Sequence, residues 1–403
     1  MLFTKRQIKT DVILGISLFL LCPALAIVYI IVQAYSGKYN NLTVLSLSIA
    51  MVALFTPPFA DIYRHTLMYF YYENFSNSII QSNDKDFIFY TLTNICARNG
   101  IPFEYVSFLF VFICYQISFF LFKKVYEDVK NKLSNRKIFC IFLCFVLMVP
   151  FIAILNGLRM PLASYIALLS WFFIYTKQYF KGACLFVIAL STHFGSWLFL
   201  PLIIFTAFSN LIKINRTSFL IVSVVLLVVG GIFLHLIPQS FLAATELDGQ
   251  VEGYMVNNDE RFDATMSLNG RIAMYLERLP LLAALFLVIS KKLCISEQDK
   301  SIVYVAIWIA LLYHPFIVLF RRYCFFVEPL LIFIILKGQV QSGYIYKPLK
   351  VLLVSCVIMT LSYVHGFRET FSNTKHHKML YPAIVTIPTM DTYENFKDAL
   401  IPK

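Results

Sequence analysis

The sequence predicts an all-α, polytopic integral membrane protein, and three observations carry that prediction. Residues are 59 % hydrophobic and only 14 % charged, too few polar side chains to clothe a soluble protein of 403 residues. Apolar runs recur along almost the whole chain, at 12–35, 42–58, 103–122, 138–155, 160–176, 182–208, 217–237, 279–290, 302–320, 323–336 and 349–365. At about 20 residues per span they amount to about eleven transmembrane helices, with a range of roughly 9–13. The runs are solidly apolar rather than alternating, which selects helices over a barrel.

The first run follows the basic "TKRQIKT" and contains an A-x-A in "CPALAIVYIIV", as a secretory leader would, but its apolar sequence continues too far for a leader. It is expected to be an uncleaved first span. The formal charge of +12 lies mainly in short loops between runs, where membrane orientation explains it without nucleic acid. Nine cysteines are scattered, mostly inside apolar runs, with no C-x-x-C and no histidines at metal spacing. With no internal repeat, phosphate loop or low-complexity linker, residues 1–403 read as a single membrane domain.

The most basic loop, "FKKVYEDVKNKLSNRK" at 122–137, is expected on the cytoplasmic side. Counting forward, "NGLR" falls outside and "TKQYFK" inside, so Arg159 faces outward. The run 182–208 carries "STHFGSW" at its middle and a basic "NLIKINR" after it, which suits a broken or re-entrant segment with His193 near the outer tip. Residues 238–278 hold an excess of acidic side chains and are expected outside, "SKKL" inside, and Arg321 and Arg322 outside again at "LFRRYCFF". Residues 59–102 form a further outer loop and 367–403 an outer C-terminal tail. The basic N-terminus argues for the opposite hand at that end, and its side is left open.

Membrane topology gives no reason for cations on the outer side, so Arg159, Arg271, Arg278, Arg321 and Arg322 stand out. A guanidinium matches phosphate oxygens bidentately, and such a cluster suits a diphosphate. Around Arg159, Asn156-Gly157 reads as a helix stop and Pro161 as part of the first turn of the next helix, whose free N–H groups add to an anion site. Snorkelling or an ion pair between helices explains the same arginines. Arg271, Tyr275 and Arg278 are spaced for one helical face, which could hold sugar or phosphate or could be a solvated face paired with Glu277. In "PPFADIYRHTLMYFYYENF", Asp61, Arg64 and His65 share a face, and a carboxylate four residues before a histidine can orient its ring as a general base. A cap at Asp61 and an interfacial aromatic belt explain that stretch as well. His193 is the one ionisable residue within its run, a functional candidate by default in a membrane or else a satisfied structural histidine. His314, before Pro315, reads as a kink partner and "KHHK" at 375–378 as tail, so no metal is expected.

The segments "PPFADIYRHTLMYF", "DFIFYTLTNICARNGIPFEYV", "NGLRMPLASY" and "KGACLFVIALSTHFGSWLFLPLII" together resemble the EpsG-like group of bacterial repeat-unit polymerases, the Wzy class, over most of residues 55–210. The resemblance implies a metal-independent glycosyltransferase of the bacterial cytoplasmic membrane that needs no cofactor. It would join polyprenyl-diphosphate-linked oligosaccharide units at the outer face into O-antigen, capsule or exopolysaccharide. Its partners would be the lipid-linked donor and acceptor, with a chain-length regulator as a candidate. It places Arg159 at the family's N-x-x-R position, His193 at its later histidine, and Asp61 and Arg64 in its outer segment. Whether His193 or Asp61 with His65 is the base stays open. Rival readings are a ligase, a polyprenyl-phosphate-sugar-dependent transferase, and a flippase for the same lipid, the last expected to show repeated halves.

Overall fold

The computed structural model describes residues 5–56, 65–66, 68–69, 86–227, 272–273, 275–290, 293–314, 317–342, 345–366, 368 and 374–387. Every regular element among them is helical. In chain order these are α1 (Lys5–Leu21), α2 (Pro23–Tyr35), α3 (Leu42–Ala50) continued by the 3-10 turn Met51–Phe55, α4 (Phe87–Arg98), α5 (Phe103–Val129), α6 (Asn135–Leu147), α7 (Phe151–Gly157), α8 (Arg159–Tyr175) and α9 (Tyr179–Thr192). After the 3-10 segment Phe194–Phe199 come α10 (Leu200–Phe208) and α11 (Arg216–Leu227). The remainder are α12 (Leu279–Ile289), α13 (Glu297–Tyr313), α14 (Ile317–Ser342), α15 (Tyr346–Gly366), the 3-10 turn His376–Leu380 and α16 (Ala383–Thr386).

Proline and glycine cut the apolar runs more often than hydropathy suggests. Pro23, lacking an N–H, opens α2 and splits the expected first span into two helices. Pro150 separates α6 from α7. Three stretches among the described residues are long and apolar enough to cross a membrane, Phe103–Val129, Asn135–Gly157 and Lys347–Gly366, alongside six shorter apolar helices. The protein is thus a helical membrane protein, and length and composition of its helices do not reach the expected count of about eleven. At 1.5 Å per residue α5 is about 40 Å long, enough to pass through the hydrocarbon and carry Lys123 and Lys124 beyond it. The break expected between the runs 302–320 and 323–336 is displaced: α13 stops at Tyr313, and Arg321 and Arg322 lie inside α14 rather than in a loop.

Two compact units interleave along the chain, one of residues 1–166, 188–194 and 363–403, the other of 167–187 and 195–362. In the first, α5 packs against α3, α6 and α7. Its core is aromatic, with Tyr39 4.9 Å from Phe122 and 5.5 Å from Phe142 between ring centroids. Ser46, Ser48 and Ser164 return their hydroxyls to the carbonyl four residues back, which satisfies a polar group without leaving the helix. The Tyr165 hydroxyl donates to the Met148 carbonyl, left open where α6 ends, at 3.0 Å and so fixes the start of α8. Part of the expected tail belongs to this unit: Met379 and Ala383 pack on Met51, Leu54 and Phe55, and the Lys375 N–H donates to the Phe55 carbonyl at 3.1 Å.

In the second unit the end of α8 meets the start of α9 closely enough that a Cβ on Gly182 would lie 2.4 Å from Ile174 Cγ1. The Trp171 indole donates to Thr206 Oγ1 at 2.9 Å, and Tyr175 Oη to Asp299 Oδ1 at 3.0 Å. Ser296 caps α13 by accepting from the Asp299 N–H. Phe199 stacks on Phe326 with centroids 4.5 Å apart, and α14 packs against α12 and α13.

Candidate active site

Three chain breaks in the first unit deliver one polar cluster. Asp86 occupies the N-cap of α4, a position where aspartate normally bonds its own helix, yet its side chain makes no such bond. Its carboxylate is turned to groups far away in sequence. Arg159 Nη1 donates to Asp86 Oδ2 at 2.6 Å, His193 Nδ1 lies 2.9 Å from both carboxylate oxygens, and the Phe194 N–H donates to Oδ1 at 2.8 Å. Asp86 therefore caps the start of the 3-10 segment Phe194–Phe199 instead of its own helix.

Arg159 reaches this point because α7 ends at Gly157 and Leu158 adopts φ 27°, a turn that starts α8 at Arg159. The stop at Asn156-Gly157 and Pro161 within the first turn of α8 agree with the sequence reading. Arg159 Nη1 also donates to Tyr90 Oη at 2.8 Å, and its guanidinium carbon lies 5.5 Å from the centroids of both Phe89 and Tyr90. Asp86 and Tyr90 are four residues apart on one side of α4, so that helix supplies both hydrogen-bond acceptors. Among the described residues Nη2 and Nε of Arg159 have no hydrogen-bond partner, and its side chain is 21 % exposed. His193 falls where the helical path breaks between α9 and the 3-10 segment, as the broken-segment reading of 182–208 expects.

Burial alone would raise the pKa of Asp86. The hydrogen bond and charge of His193, the Phe194 N–H and the Arg159 charge together outweigh it, and the carboxyl titrates below its ordinary value. An ionised Asp86 beside Nδ1 fixes the orientation of the imidazole, and a carboxylate behind a histidine is the arrangement found where a histidine exchanges protons. Arg159 adds a fixed cation a few ångströms away.

The other residues singled out in the sequence fall elsewhere. His65 is buried with its ring edge-on to Phe89 at 4.9 Å, next to the surface on which Arg159 rests. Asp61, Arg64 and Arg271 lie outside the described residues. Tyr275 and Arg278 do not share an environment, since Tyr275 is 46 % exposed and Arg278 1 %. Arg278 occupies the N-cap position of α12 without a side-chain capping bond and lies 3.5 Å from Glu277 and 3.6 Å from Glu328, with its guanidinium over Phe325, while Arg321 lies 3.5 Å from Glu277. Two arginines thus face two carboxylates, the ion-pair alternative of the sequence reading. Arg322 is half-buried in the second turn of α14. Among the described residues no three His, Cys, Asp or Glu side chains converge as metal ligands.

Asp86 is the residue that sequence reasoning missed. It opens the segment "DFIFYTLTNICARNGIPFEYV", and the available signal was an aspartate set directly before an apolar helical run.

A family model described as the EpsG family matches residues 39–380. The chain belongs to the EpsG family. That match takes in Asp86, Arg159, His193 and the whole of the Arg278 cluster, well beyond the 55–210 stretch that carries the resemblance in the sequence. Family membership points to polysaccharide biosynthesis by a glycosyltransferase-like polymerase. No curated protein matches the chain, and no solved structure does.

Proposed function

We propose that this EpsG-family protein polymerises polyprenyl-diphosphate-linked oligosaccharide repeat units at the outer face of the bacterial cytoplasmic membrane, with Asp86, Arg159 and His193 as its reaction centre. The observation that carries the reading is the single carboxylate shared by an arginine and a histidine. A hydroxyl oxygen of the incoming unit attacks the anomeric carbon of the growing chain, and His193 Nε2 accepts its proton. The bond from that carbon to the diphosphate oxygen breaks, and the diphosphate leaves with the electron pair. Negative charge grows on that oxygen, where Nη2 and Nε of Arg159 stabilise it. Asp86 touches neither substrate: it orients the imidazole and, with Tyr90, holds the guanidinium. No metal enters this scheme.

In this reading the short apolar helices complete a multi-pass arrangement of about eleven spans, with the site facing outward. Arg278 and Arg321 serve as structural ion pairs rather than diphosphate ligands, and a chain-length regulator remains a candidate partner. The test is to incubate membranes holding the protein with a lipid-diphosphate-linked oligosaccharide from its host and resolve the products by size. A ladder is expected from the parent and none from Arg159→Ala or His193→Ala at equal membrane content. A single added unit would instead mark a ligase.

A further inference from the structure

Asn156 is an anomaly in its surroundings. It lies in the last turn of α7, within the most apolar candidate span, and is 7 % exposed. Neither Oδ1 nor Nδ2 of its side chain has a hydrogen-bond partner among the described residues. Ser46, Ser48 and Ser164 in this unit are served by their own helices and Asp86 by three donors, while Asn94 Nδ2 and Ser107 Oγ also lack a partner; among the described residues only Asn156 leaves both the donor and the acceptor of its carboxamide unmatched. A leucine would fill the same space in the apolar span without the cost of desolvating an amide. The position is also particular. Three residues separate Asn156 from Arg159, so by chain length alone their Cα atoms are no more than about 11 Å apart, and the reversal at Leu158 brings the chain from one to the other.

The geometry points to Asn156 as a sugar-contacting, specificity-determining residue that binds the saccharide next to the diphosphate held by Arg159. The pairing of one open donor with one open acceptor sets the ligand chemistry. An ionised phosphate offers acceptors only and would leave Oδ1 unsatisfied, whereas a sugar ring offers hydroxyls, or an N-acetyl group, that both donate and accept. Arg159 and Asn156 then divide the headgroup, the cation taking the phosphate and the amide taking the first sugar. A site built to bond a hydroxyl rejects the analogue that lacks it, because its own buried polar atoms are left unpaired. The inference rests on the reading of Arg159 as the diphosphate-binding residue.

The experiment compares the purified parent with Asn156→Leu and Asn156→Ala by binding titration. The probes are a short-chain prenyl diphosphate bearing one hexose, the same lipid bearing one N-acetylhexosamine, and the bare prenyl diphosphate. The expected result is that both variants bind at least one sugar-bearing probe about tenfold or more weakly, corresponding to about 1.4 kcal/mol. Both should hold the bare diphosphate within about twofold of the parent, and Asn156→Leu should melt no lower than the parent without ligand. Equal affinity of parent and variants for the sugar-bearing probes overturns the inference, and so does equal weakening toward all three probes. A lower melting temperature for Asn156→Leu with loss of every probe makes Asn156 structural and overturns it too. Arg159→Ala separates the two levels, since it should weaken the bare diphosphate as well. If the parent makes no ladder yet Asn156→Leu selectively loses a sugar-bearing probe, the polymerase reading falls and the sugar site stands.

Discussion

The Asp86 cluster and the Arg278 cluster are built from the same kinds of side chain and differ in two respects that decide what each can do. Around Asp86 the contacts are short, 2.6 to 2.9 Å, one carboxylate serves two basic groups, and Arg159 keeps 21 % of its side chain exposed. Around Arg278 the contacts are longer, 3.5 to 3.6 Å, two carboxyl groups face two arginines, and Arg278 is 1 % exposed. An enclosed set of paired side chains gives an anion no access. A set whose arginine reaches the surface with N–H groups to spare can receive one. An arginine in an apolar chain is therefore weak evidence of a binding site until its counter-charges have been counted.

The largest effect should come from Asp86→Asn. An amide cannot hold the imidazolium or the guanidinium as a carboxylate does, and polymerisation should fall roughly 10²–10⁴-fold with the protein still inserted. Initial ladder rates at matched membrane content measure this, and an active Asp86→Asn enzyme would remove the contrast between the clusters.

Next in size is the response of the enclosed cluster. Arg278→Met should destabilise the protein by roughly 3–5 kcal/mol, because Glu277 and Glu328 are left buried against Arg321 alone. Arg278→Met combined with Glu328→Leu removes both partners of the 3.6 Å pair and should recover most of that loss in thermal melts. Activity per folded molecule should remain near the parent's in the double variant. A double variant that folds well and makes no ladder would assign chemistry to the second cluster.

A smaller effect separates shape from charge. Arg159→Lys keeps the cation but loses the planar fork that reaches Asp86, Tyr90 and a diphosphate together, so its polymerisation rate should fall between those of the parent and Arg159→Ala.

The smallest is a pH effect on stability. The pKa of Asp86 is depressed in the folded protein, so its contribution is present above the ordinary carboxylate range and lost as pH falls through the depressed value. The melting-temperature gap between parent and Asp86→Asn should therefore be full near neutral pH and narrow only on acidification below the ordinary carboxylate range. A gap that widens on acidification would contradict the ionised carboxylate.

Much of this molecule was legible before folding. Asn156-Gly157 and Pro161 mark the turn that starts α8, because a helix stop followed by a residue suited to a first turn is a local property. The break at His193 was legible from "STHFGSW" in the middle of a run followed by a basic segment, which called for a broken or re-entrant path. The span count was not: Pro23 divides a run that hydropathy counts as continuous, and Arg321 and Arg322 sit inside α14 because the break before it falls after Tyr313. Nor was Asp86, whose bonds to Arg159 and His193 bridge 73 and 107 residues.

By itself the sequence determined that this is a helical membrane protein, and it brought Arg159 and His193 forward as the residues to watch. Composition, hydropathy and the conformational limits of proline and glycine act on neighbours and need no fold to be read. Only the tertiary structure decided that Asp86 joins those two residues, that Arg278 and Arg321 face buried carboxyl groups, and that Asn156 is enclosed without a partner among the described residues. A charge or a hydrogen-bonding group acquires its meaning from what faces it in space, and that is settled by packing between segments distant in the chain.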